Sequence, residues 1–482
     1  MRILDELEPK RVFYYFEDIC NIPHGSKNLD GISSYLEQFA KDRGLFHIRD
    51  KSNNIIIAKE ASKGYEDAEP VILQGHMDMV AVKRQDCDID MTKDPLRLKI
   101  DGDYVYAEGT SLGGDDGIAV AYILAILDDD KIKHPRIEAV ITTDEEIGME
   151  GATAIDISML KATRMLNIDS EVEGILLSGC AGGARADCNI PVSRENRNGL
   201  FYYVILDGLK GGHSGTEIDK ERGNAIKLIG RALKMAAKNI PFQIAEFDGG
   251  EKDNAIPLEA HAVLYIPDGF ENIFAEEISK IEKVLKNEYQ SKEKGLSLKC
   301  QKLPDTNKDV LIKADTLKIL DFISLLPNGV IAMSADIQGL VETSLNVGIM
   351  RLSKDSFVTG SSVRSSIETA KENLIEQLTT LSEIFGGSSF ISGEYPGWQY
   401  NPDSKLRNVM IEVYEEMYHE KPKVEAIHAG LECGIMISKK PGLDCVSFGP
   451  NLYDIHTTQE KLSISSTKRT WEYLLKILER KE

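Results

Sequence analysis

The chain has 482 residues, which is too long for a single hydrophobic core and predicts two to four domains. Its 78 acidic residues outnumber its 57 lysines and arginines, giving a formal net charge of −21. A charge of this sign repels nucleic acid and anionic membranes, so we expect neither as a partner.

The amino-terminal segment and the cysteines indicate a cytoplasmic protein. The first ten residues are polar and lack the apolar core of a signal peptide. No apolar run reaches the roughly 18 residues that a membrane span requires. The seven cysteines are scattered and form no Cys-x-x-Cys pair, a usage typical of a reducing compartment.

The first third of the chain alternates short apolar runs with a helical segment. Residues 54–57, 71–73, 139–142 and 165–168 are apolar or β-branched runs bounded by polar residues, which indicates buried strands. Residues 118–127 are continuously apolar and predict a buried helix between two of these strands. The alternation predicts an α/β domain built on a mostly parallel, helix-covered sheet.

The pattern changes after Gly179, where the glycine-rich segment 180–184 predicts a junction. Further strands and amphipathic helices follow, which indicates a large α+β insertion; the strands are predicted at 201–206, 260–266 and 345–352 and the helices at 224–238, 274–288 and 370–385. A helix (404–418), a strand (445–448) and a last helix (466–478) complete the chain. We predict one domain over 1–186 and 393–482 and an inserted domain over 187–392.

Five acidic or imidazole clusters are spread along the sequence: His76-Met77-Asp78, Asp115-Asp116, Glu145-Glu146, Asp169 and His456. Each has an ordinary structural explanation when taken alone. A histidine often ends a strand for packing reasons, an aspartate often caps a helix, and acidic residues favour a first helical turn. Their joint occurrence needs a different explanation.

Three of the predicted strands end in His76, Glu145-Glu146 and Asp169, and the predicted helix begins at Asp115-Asp116. Open α/β sheets bind ligands at the carboxyl ends of their strands. Imidazoles together with carboxylates are the ligands of a pair of divalent zinc, manganese or cobalt ions. The sequence therefore predicts a two-metal site, which His456 joins only if the chain returns to the first domain after the insertion.

The motifs around these residues resemble the co-catalytic zinc peptidases of the aminoacylase and carboxypeptidase G clan. The segments that carry the resemblance are Gly-His-Met-Asp (75–78), Gly-Thr-Ser-Leu-Gly-Gly-Asp-Asp-Gly (109–117), Thr-Asp-Glu-Glu-Ile-Gly (143–148), Asn-Ile-Asp-Ser-Glu (167–171) and Asp-Ile-His-Thr (454–457). Three further segments, 211–215, 253–257 and 427–434, resemble the aminoacyl-histidine dipeptidases, also called cytosol non-specific dipeptidases. The resemblance runs through the whole chain in order.

The resemblance implies two divalent metal ions, with zinc expected and manganese or cobalt as alternatives. His76 and Asp169 would hold one ion, and Glu146 and His456 the other. Asp115 would bridge both ions, and a cis peptide bond would follow it.

The same resemblance implies three catalytic roles. Glu145 would be the general base, and Asp78 would orient His76. His213, in the insertion, would stabilise the oxyanion of the tetrahedral intermediate.

Four residues are expected to bind substrate. Asn254 and Arg364 resemble substrate-binding positions of the insertion, although Arg351 lies in a similar strand context and is the alternative to Arg364. His428 and Glu432 would line the pocket near the substrate's amino end, and a buried structural role for Glu432 is equally compatible with the sequence.

The resemblance implies a dipeptidase that acts on dipeptides with a free amino end, including Xaa-His substrates. A deacylase or tripeptidase of the same clan is the first alternative, and a non-catalytic metal-binding protein is the second. The presence of Glu145 beside a complete ligand set argues against the second. Some relatives complete their site with a partner's lid, so the resemblance also allows a homodimer.

Overall fold

The computed structural model describes residues 2–304 and 306–481. The chain forms two compact units. The first contains residues 2–179, 400–426 and 431–481, and the second contains residues 180–399 and 427–430. The second unit is therefore inserted into the chain of the first, and the segment 427–430 belongs to it as well.

The strands are, in chain order, β1 (Phe46–Arg49), β2 (Ile55–Lys59), β3 (Val71–His76), β4 (Leu98–Asp101), β5 (Tyr104–Ala107), β6 (Ile137–Thr142), β7 (Arg164–Asn167), β8 (Ile175–Cys180), β9 (Gly182–Pro191), β10 (Arg194–Gly199), β11 (Phe201–Asp207), β12 (Gly212–His213), β13 (Gln243–Gly249), β14 (Ala255–Ile256), β15 (Ala260–Tyr265), β16 (Ser297–Lys302), β17 (Thr306–Leu311), β18 (Gly329–Met333), β19 (Val341–Leu352), β20 (Ser356–Ser365), β21 (Ser388–Tyr395), β22 (Lys423–Ile427), β23 (Asp444–Ser447), β24 (Leu452–Tyr453) and β25 (Lys461–Ser463).

The helices are α1 (Lys10–Cys20), α2 (Asp30–Asp42), α3 (Gly114–Asp128), α4 (Glu150–Ala154), α5 (Ala225–Ala236), α6 (Glu271–Tyr289), α7 (Lys313–Leu325), α8 (Glu368–Ile384), α9 (Lys405–Tyr418), α10 (Glu432–Lys439) and α11 (Ile464–Leu478), with a short 3-10 turn at Ile218–Lys220. Within residues 2–304 and 306–481, none of these helices combines the length and the apolarity that crossing a membrane requires.

The first unit is built on an eight-stranded sheet with the strand order β1-β2-β6-β3-β7-β23-β8-β22. The four central strands, β6, β3, β7 and β23, run parallel, while β1, β2 and β8 pair antiparallel with their neighbours. Strands β6, β3 and β7 are buried along their whole length, which explains their largely apolar sequences. The predicted α/β fold is confirmed, with its parallel part confined to the middle of the sheet.

Helix α3 is the most deeply buried helix of this core. Its residues Ile118 to Leu127 are at most 2% exposed, because α3 packs between α1 and the sheet. A helix that is apolar on every side must be covered on every side. The prediction of a buried helix at 118–127 is therefore confirmed.

The second unit has its own core around a nine-stranded antiparallel sheet. The main strand order is β16-β11-β15-β13-β19-β20-β9-β21, with β18 paired to β19. Helices α5 to α8 supply buried apolar residues to this core, including Ile226, Phe274, Ile319 and Leu374. The α+β character predicted for the insertion agrees with this sheet.

The glycine-rich segment predicted as a junction coincides with the boundary between the two units, which falls between Gly179 and Cys180, and it also opens a strand. Gly182 and Gly183 open β9, which pairs with β20 and β21. A Cβ atom on Gly182 would lie 2.4 Å from the backbone nitrogen of Gly397, and one on Gly183 would lie 2.5 Å from the ring of Tyr395. The glycines are required because the neighbouring chain passes too close for any side chain.

The predicted domain boundaries, 186/187 and 392/393, fall inside β9 and β21. Both strands belong wholly to the second unit, whose main segment runs from Cys180 to Gln399. The difference arises because polar strands such as β21 carry no apolar run by which the sequence could place a boundary.

Candidate metal centre

Three central strands bring acidic and imidazole side chains to one edge of the first unit's sheet. β3 ends at His76, which is in register with Thr142 at the end of β6. Gln74 of β3 is in register with Asn167 at the end of β7. The residues that follow these strands, Glu145-Glu146 and Asp169, therefore leave the sheet at the same edge as His76.

His76 lies at the centre of the cluster. Its Nε2 atom is 3.3 Å from Oδ1 of Asp115 and 3.6 Å from Oδ1 of Asp169. On the other side of Asp115, Oδ2 is 3.1 Å from Nε2 of His456, which is also 2.9 Å from Oε1 of Glu146. The two oxygens of the Asp115 carboxylate thus face different histidines.

The chain brings all five predicted ligands together in three sets, which are linked through His76 and Glu146. Asp115, Glu146 and His456 each offer an atom within 4.8 Å of the others. His76 and Asp169 form a similar group with Asp116, and His76 forms another with Glu145 and Glu146. Asp116 was not predicted as a ligand; its Oδ2 accepts the backbone N–H of His76 at 3.1 Å.

The peptide bond between Asp115 and Asp116 is cis, as the resemblance implied. The backbone of both residues departs from helical geometry although they lie at the start of α3. Gly75 makes this arrangement possible, because a Cβ there would lie 2.5 Å from Oδ2 of Asp116 and 2.8 Å from the Cβ of Ala119. Strand β3 and the start of α3 can approach each other only over a glycine.

Asp78 was predicted to orient His76 through its carboxylate. The nearest acceptor for Nδ1 of His76 is instead the backbone carbonyl of Asp78, at 3.0 Å, while the carboxylate oxygen is 3.6 Å away. The Asp78 carboxylate accepts the backbone N–H groups of Glu145 at 3.1 Å and Glu146 at 3.4 Å, and the Ser26 hydroxyl at 2.8 Å. Asp78 therefore also positions the segment that follows β6.

The cluster carries more negative charge than its own histidines can balance. Hydrogen bonds to Asp115 and Glu146 raise the pKa of His456 to about 10. Burial, with the neighbouring carboxylates, raises the pKa of Asp169 to about 6 and that of Glu145 well above its usual value. A site that stabilises positive charge and penalises negative charge in this way favours the binding of a cation, because the cation offsets the repulsion between the buried carboxylates.

The donor set fits a divalent ion pair. Two imidazoles and at least four carboxylates meet within a few ångströms, and the side chains of His76 and Glu146 are only 1% and 5% exposed. Nitrogen and oxygen donors of this kind suit zinc, manganese or cobalt.

Glu432 belongs to a buried hydrogen-bond network with residues of β3 and β6. It is fully buried, and its Oε2 accepts hydrogen bonds from Gln74 at 2.5 Å and Thr142 at 2.6 Å. The two hydrogen bonds support the structural alternative, while Oε1 has no hydrogen-bond partner among the described residues. Gln74, a polar residue in the middle of the apolar strand β3, was the sequence signal for this network, and it was missed.

A second residue missed by sequence reasoning is Glu460. It is 3% exposed, and its carboxylate accepts the backbone N–H groups of residues 112–115. Only its place four residues after His456 singles it out in the sequence.

Within the second unit, His213 lies on a short strand and Asn254 immediately precedes the strand that pairs with it. His213 of β12 is in register with Ala255 of β14, and the carbonyl of Asn254 accepts the N–H of Ser214 at 2.9 Å. Nδ1 of His213 accepts the backbone N–H groups of Gly215 and Thr216, both at 3.2 Å. Burial and the charge of Arg364 lower the pKa of His213.

Arg364 and His428 belong to the same region of the second unit. Arg364 is 9% exposed; its Nη1 donates to the Tyr395 hydroxyl at 2.9 Å, and its Nε has no hydrogen-bond partner among the described residues. Burial, followed by the charge of Arg364, lowers the pKa of His428 to about 4. His428 Nε2 lies 2.7 Å from the Ser344 hydroxyl.

Arg351, the alternative to Arg364, has three of its N–H donors occupied by the backbone. Its guanidinium donates to the carbonyl oxygens of Gly249 at 2.8 Å, Met350 at 2.7 Å and Gly250 at 2.6 Å. Arg364 is therefore the better placed of the two arginines to bind an anion.

Comparison with known proteins gives consistent matches along the chain. Residues 72–480 match the model of peptidase family M20/M25/M40. The cytosol non-specific dipeptidase of Escherichia coli (strain K12) is 37% identical over 480 residues, covering 99% of each chain. The crystal structure of aminoacylhistidine dipeptidase from Vibrio alginolyticus superposes with a TM-score of 0.93 at 37% identity, covering 99% of this chain and 97% of that one.

A more distant structure, a tripeptidase from Staphylococcus aureus, superposes with a TM-score of 0.56 at 16% identity and covers 98% of both chains, which establishes a shared fold alone. The matches at 37% identity extend over nearly the whole chain. The chain therefore belongs to peptidase family M20/M25/M40 and, within it, to the group of the cytosol non-specific or aminoacylhistidine dipeptidases.

Proposed function

We propose that this protein is a metal-dependent dipeptidase that acts in the cytoplasm on dipeptides with a free amino terminus, including Xaa-His. The observation that carries the proposal is the buried cluster of His76, Asp115, Glu146, Asp169 and His456. It occurs in a chain that matches a cytosol non-specific dipeptidase at 37% identity from end to end.

Two divalent ions, with zinc as the expected metal, would be held by these five residues. His76 and Asp169 would hold one ion, and Glu146 and His456 the other. The opposed oxygens of Asp115, one facing each histidine, support its role as the bridge. When bound, such a pair supplies Lewis acidity and lowers the pKa of water toward neutrality.

Glu145 is the proposed general base. It would accept a proton from the water that adds to the peptide carbonyl and return that proton to the amine as the C–N bond breaks. The backbone N–H of Glu145 is fixed by Asp78, and the next residue, Glu146, belongs to the ligand cluster. This local fixation supports a base held beside the reacting water.

His213 is the proposed donor to the oxyanion. Because its Nδ1 atom accepts two backbone N–H groups, the neutral ring must carry its proton on Nε2. The lowered pKa favours this neutral form. A fixed N–H donor of this kind is what stabilisation of developing negative charge requires.

Arg364 is the proposed binding residue for the substrate's terminal carboxylate. Arginine binds carboxylates through paired N–H donors, and the buried Nε of Arg364 has no partner among the described residues. Asn254 and His428 lie in the same unit and are proposed to contact the substrate, whereas Glu432 is proposed to act only as a buried support.

The deacylase and tripeptidase alternatives differ in the substrate ends that they accept. An N-acyl amino acid has no free amino end, and a tripeptide places its carboxylate one residue farther away. The 16% identity to the tripeptidase structure supports the fold and not its substrate. The non-catalytic alternative gains no support from the cluster, because a base beside the ligands is retained.

Turnover of dipeptides, tripeptides and N-acyl amino acids, each measured with and without chelator, tests the proposal. We expect metal-dependent hydrolysis of dipeptides alone, and a loss of roughly 10²- to 10⁴-fold for Glu145→Gln with its metal content unchanged. Asp144→Asn is the matched control, since Asp144 pairs with Lys27 on the surface. Dipeptide turnover near the wild-type rate in a metal-loaded Glu145→Gln protein contradicts the assigned base.

A further inference from the structure

A buried carboxylate with no assigned role supports the loop that carries Asp115. Glu460 accepts four consecutive backbone N–H groups. Oε2 accepts those of Leu112 at 2.7 Å and Gly113 at 3.0 Å, and Oε1 accepts those of Gly114 at 2.8 Å and Asp115 at 3.3 Å. Leu112 and Gly113 precede α3, and Gly114 and Asp115 open its first turn, where backbone N–H groups have no partner within the helix.

Only a carboxylate of this length satisfies all four donors. An ionised Glu offers two oxygens with about four acceptor positions, whereas Gln offers one oxygen and directs its NH₂ group at two of the backbone N–H groups. Asp keeps the charge but is one methylene shorter. The fit is close on the loop side as well, since a Cβ on Gly114 would lie 3.3 Å from Oε1 of Glu460 and 2.6 Å from Leu452.

Glu460 also lies in the turn that carries His456. The following strand, β25, pairs with both β24 and β5, which fixes the position of this turn in the first unit. One side chain therefore connects two segments that are more than 340 residues apart along the chain, each bearing a proposed ligand.

We propose that Glu460 is a positioning residue for the metal centre, which holds the backbone of Asp115 in the place required for its carboxylate to face both His76 and His456. The inference rests on the proposed function for the identity of the ligands. Loss of an outer residue that orients a metal ligand typically weakens metal binding roughly 10- to 100-fold. A change of this size is expected although Glu460 is not one of the proposed ligands.

The test compares four proteins: wild type, Glu460→Gln, Glu460→Asp and Glu138→Gln. Glu138 is the matched control because it too is a buried glutamate, 1% exposed, whose carboxylate accepts the backbone N–H groups of Lys161 and Ala162. It lies near the start of β6, at the opposite end of the strand from Glu145. Zinc affinity is measured by competition with a chromogenic chelator, and the cobalt-substituted proteins are compared by their visible spectra.

We expect both Glu460 variants to bind zinc at least tenfold more weakly than wild type and to show an altered cobalt spectrum, while Glu138→Gln binds zinc normally. In the metal-free proteins, hydrogen–deuterium exchange of the 112–115 amides should be faster in Glu460→Gln than in wild type and unchanged in Glu138→Gln. This second measurement does not depend on metal or on activity.

Three results would overturn the inference. The first is an unchanged zinc affinity in Glu460→Gln, and the second is full zinc affinity in Glu460→Asp, which would assign the effect to charge alone. The third is an equal loss of zinc affinity in Glu138→Gln, which would indicate general destabilisation. A wild-type protein that binds no zinc, manganese or cobalt would refute the proposed function instead. The exchange experiment would still report whether Glu460 holds the loop.

Discussion

Replacement of Arg364 by Met should separate substrate binding from folding. In the second unit, the Arg364 side chain is 9% exposed, its Nη1 bonds to Tyr395, and its Nε has no described partner. The folded protein should lose only the Tyr395 hydrogen bond, about 1 kcal/mol. The apolar Met side chain fills much of the same space, so we expect a small fall in thermal stability.

The effect on catalysis should be much larger. Removing one partner of a buried, hydrogen-bonded charge pair costs about 2–5 kcal/mol. If Arg364 binds the terminal carboxylate, this corresponds to a loss of roughly 30- to several-thousand-fold in kcat/KM, seen chiefly as a higher KM.

The assay compares a dipeptide with the same dipeptide amidated at its carboxyl end. Wild type should prefer the free acid, and Arg364→Met should lose most of this preference because both substrates then lack their cationic partner. Arg351→Met is the control, since Arg351 donates only to backbone carbonyls in the structure and should leave the preference intact. A folded, metal-loaded Arg364→Met protein that still prefers the free acid, or an Arg351→Met protein that loses the preference, would refute the reasoning.

Three further predictions concern the support of the site. Gly75→Ala places a Cβ 2.5 Å from Asp116 Oδ2 and should lower the free energy of unfolding by about 1–3 kcal/mol in a denaturant titration. The control Gly31→Ala, whose Cβ meets nothing closer than 3.4 Å, should not lower it. Equal stabilities of the two variants would contradict the close approach that requires Gly75. Nitrogen-15 spectra of histidine-labelled protein should show His213 as the Nε2–H tautomer; its signals are assigned by their loss in His213→Gln. An Nδ1–H signal from His213 would exclude the two hydrogen bonds that its Nδ1 accepts. Burial lowers the pKa of His428 to about 4, so its neutral form contributes about 3 kcal/mol of stability above pH 6.5, which is lost as the pH falls from 6.5 to 4. The His428→Asn protein should therefore lose less stability than wild type over this pH range. Identical stability–pH profiles of the two proteins would show that His428 does not titrate as assigned.

Apolar periodicity was sufficient to place many of the main elements. The run at 139–142 became β6 (Ile137–Thr142), and the amphipathic segment 274–288 became α6 (Glu271–Tyr289). Strands such as β20 and β21 were missed because their sequences are polar and rich in serine and glycine. The residues of β21 are, in addition, only partly buried. Such strands are stabilised by pairing with distant neighbours, and nothing in their local sequence indicates that pairing.

The candidate site divides in the same way. The sequence predicted His76, Asp115, Glu146, Asp169 and His456 as ligands because each follows a recognisable motif, and the structure brings all five side chains together. Gln74 and Glu460 carry no such motif. Their importance comes from what they contact, and those partners lie 358 and 345 residues away along the chain, at Glu432 and Asp115.

The sequence by itself determined the α/β architecture around the parallel strands, the chemical types of the metal ligands, and the return of the chain to the first unit after the insertion. Local periodicity and short motifs encode the first two features because each depends on residues close together in the chain, and the return of the chain follows once His456 is assigned to the same cluster as the earlier motifs. Only the tertiary structure decided that the oxygens of Asp115 face different histidines, that Glu432 is buried, and that Arg364 rather than Arg351 keeps a donor for a ligand. The physical reason is that distances and hydrogen-bond partners across hundreds of residues arise from packing, which no local pattern records.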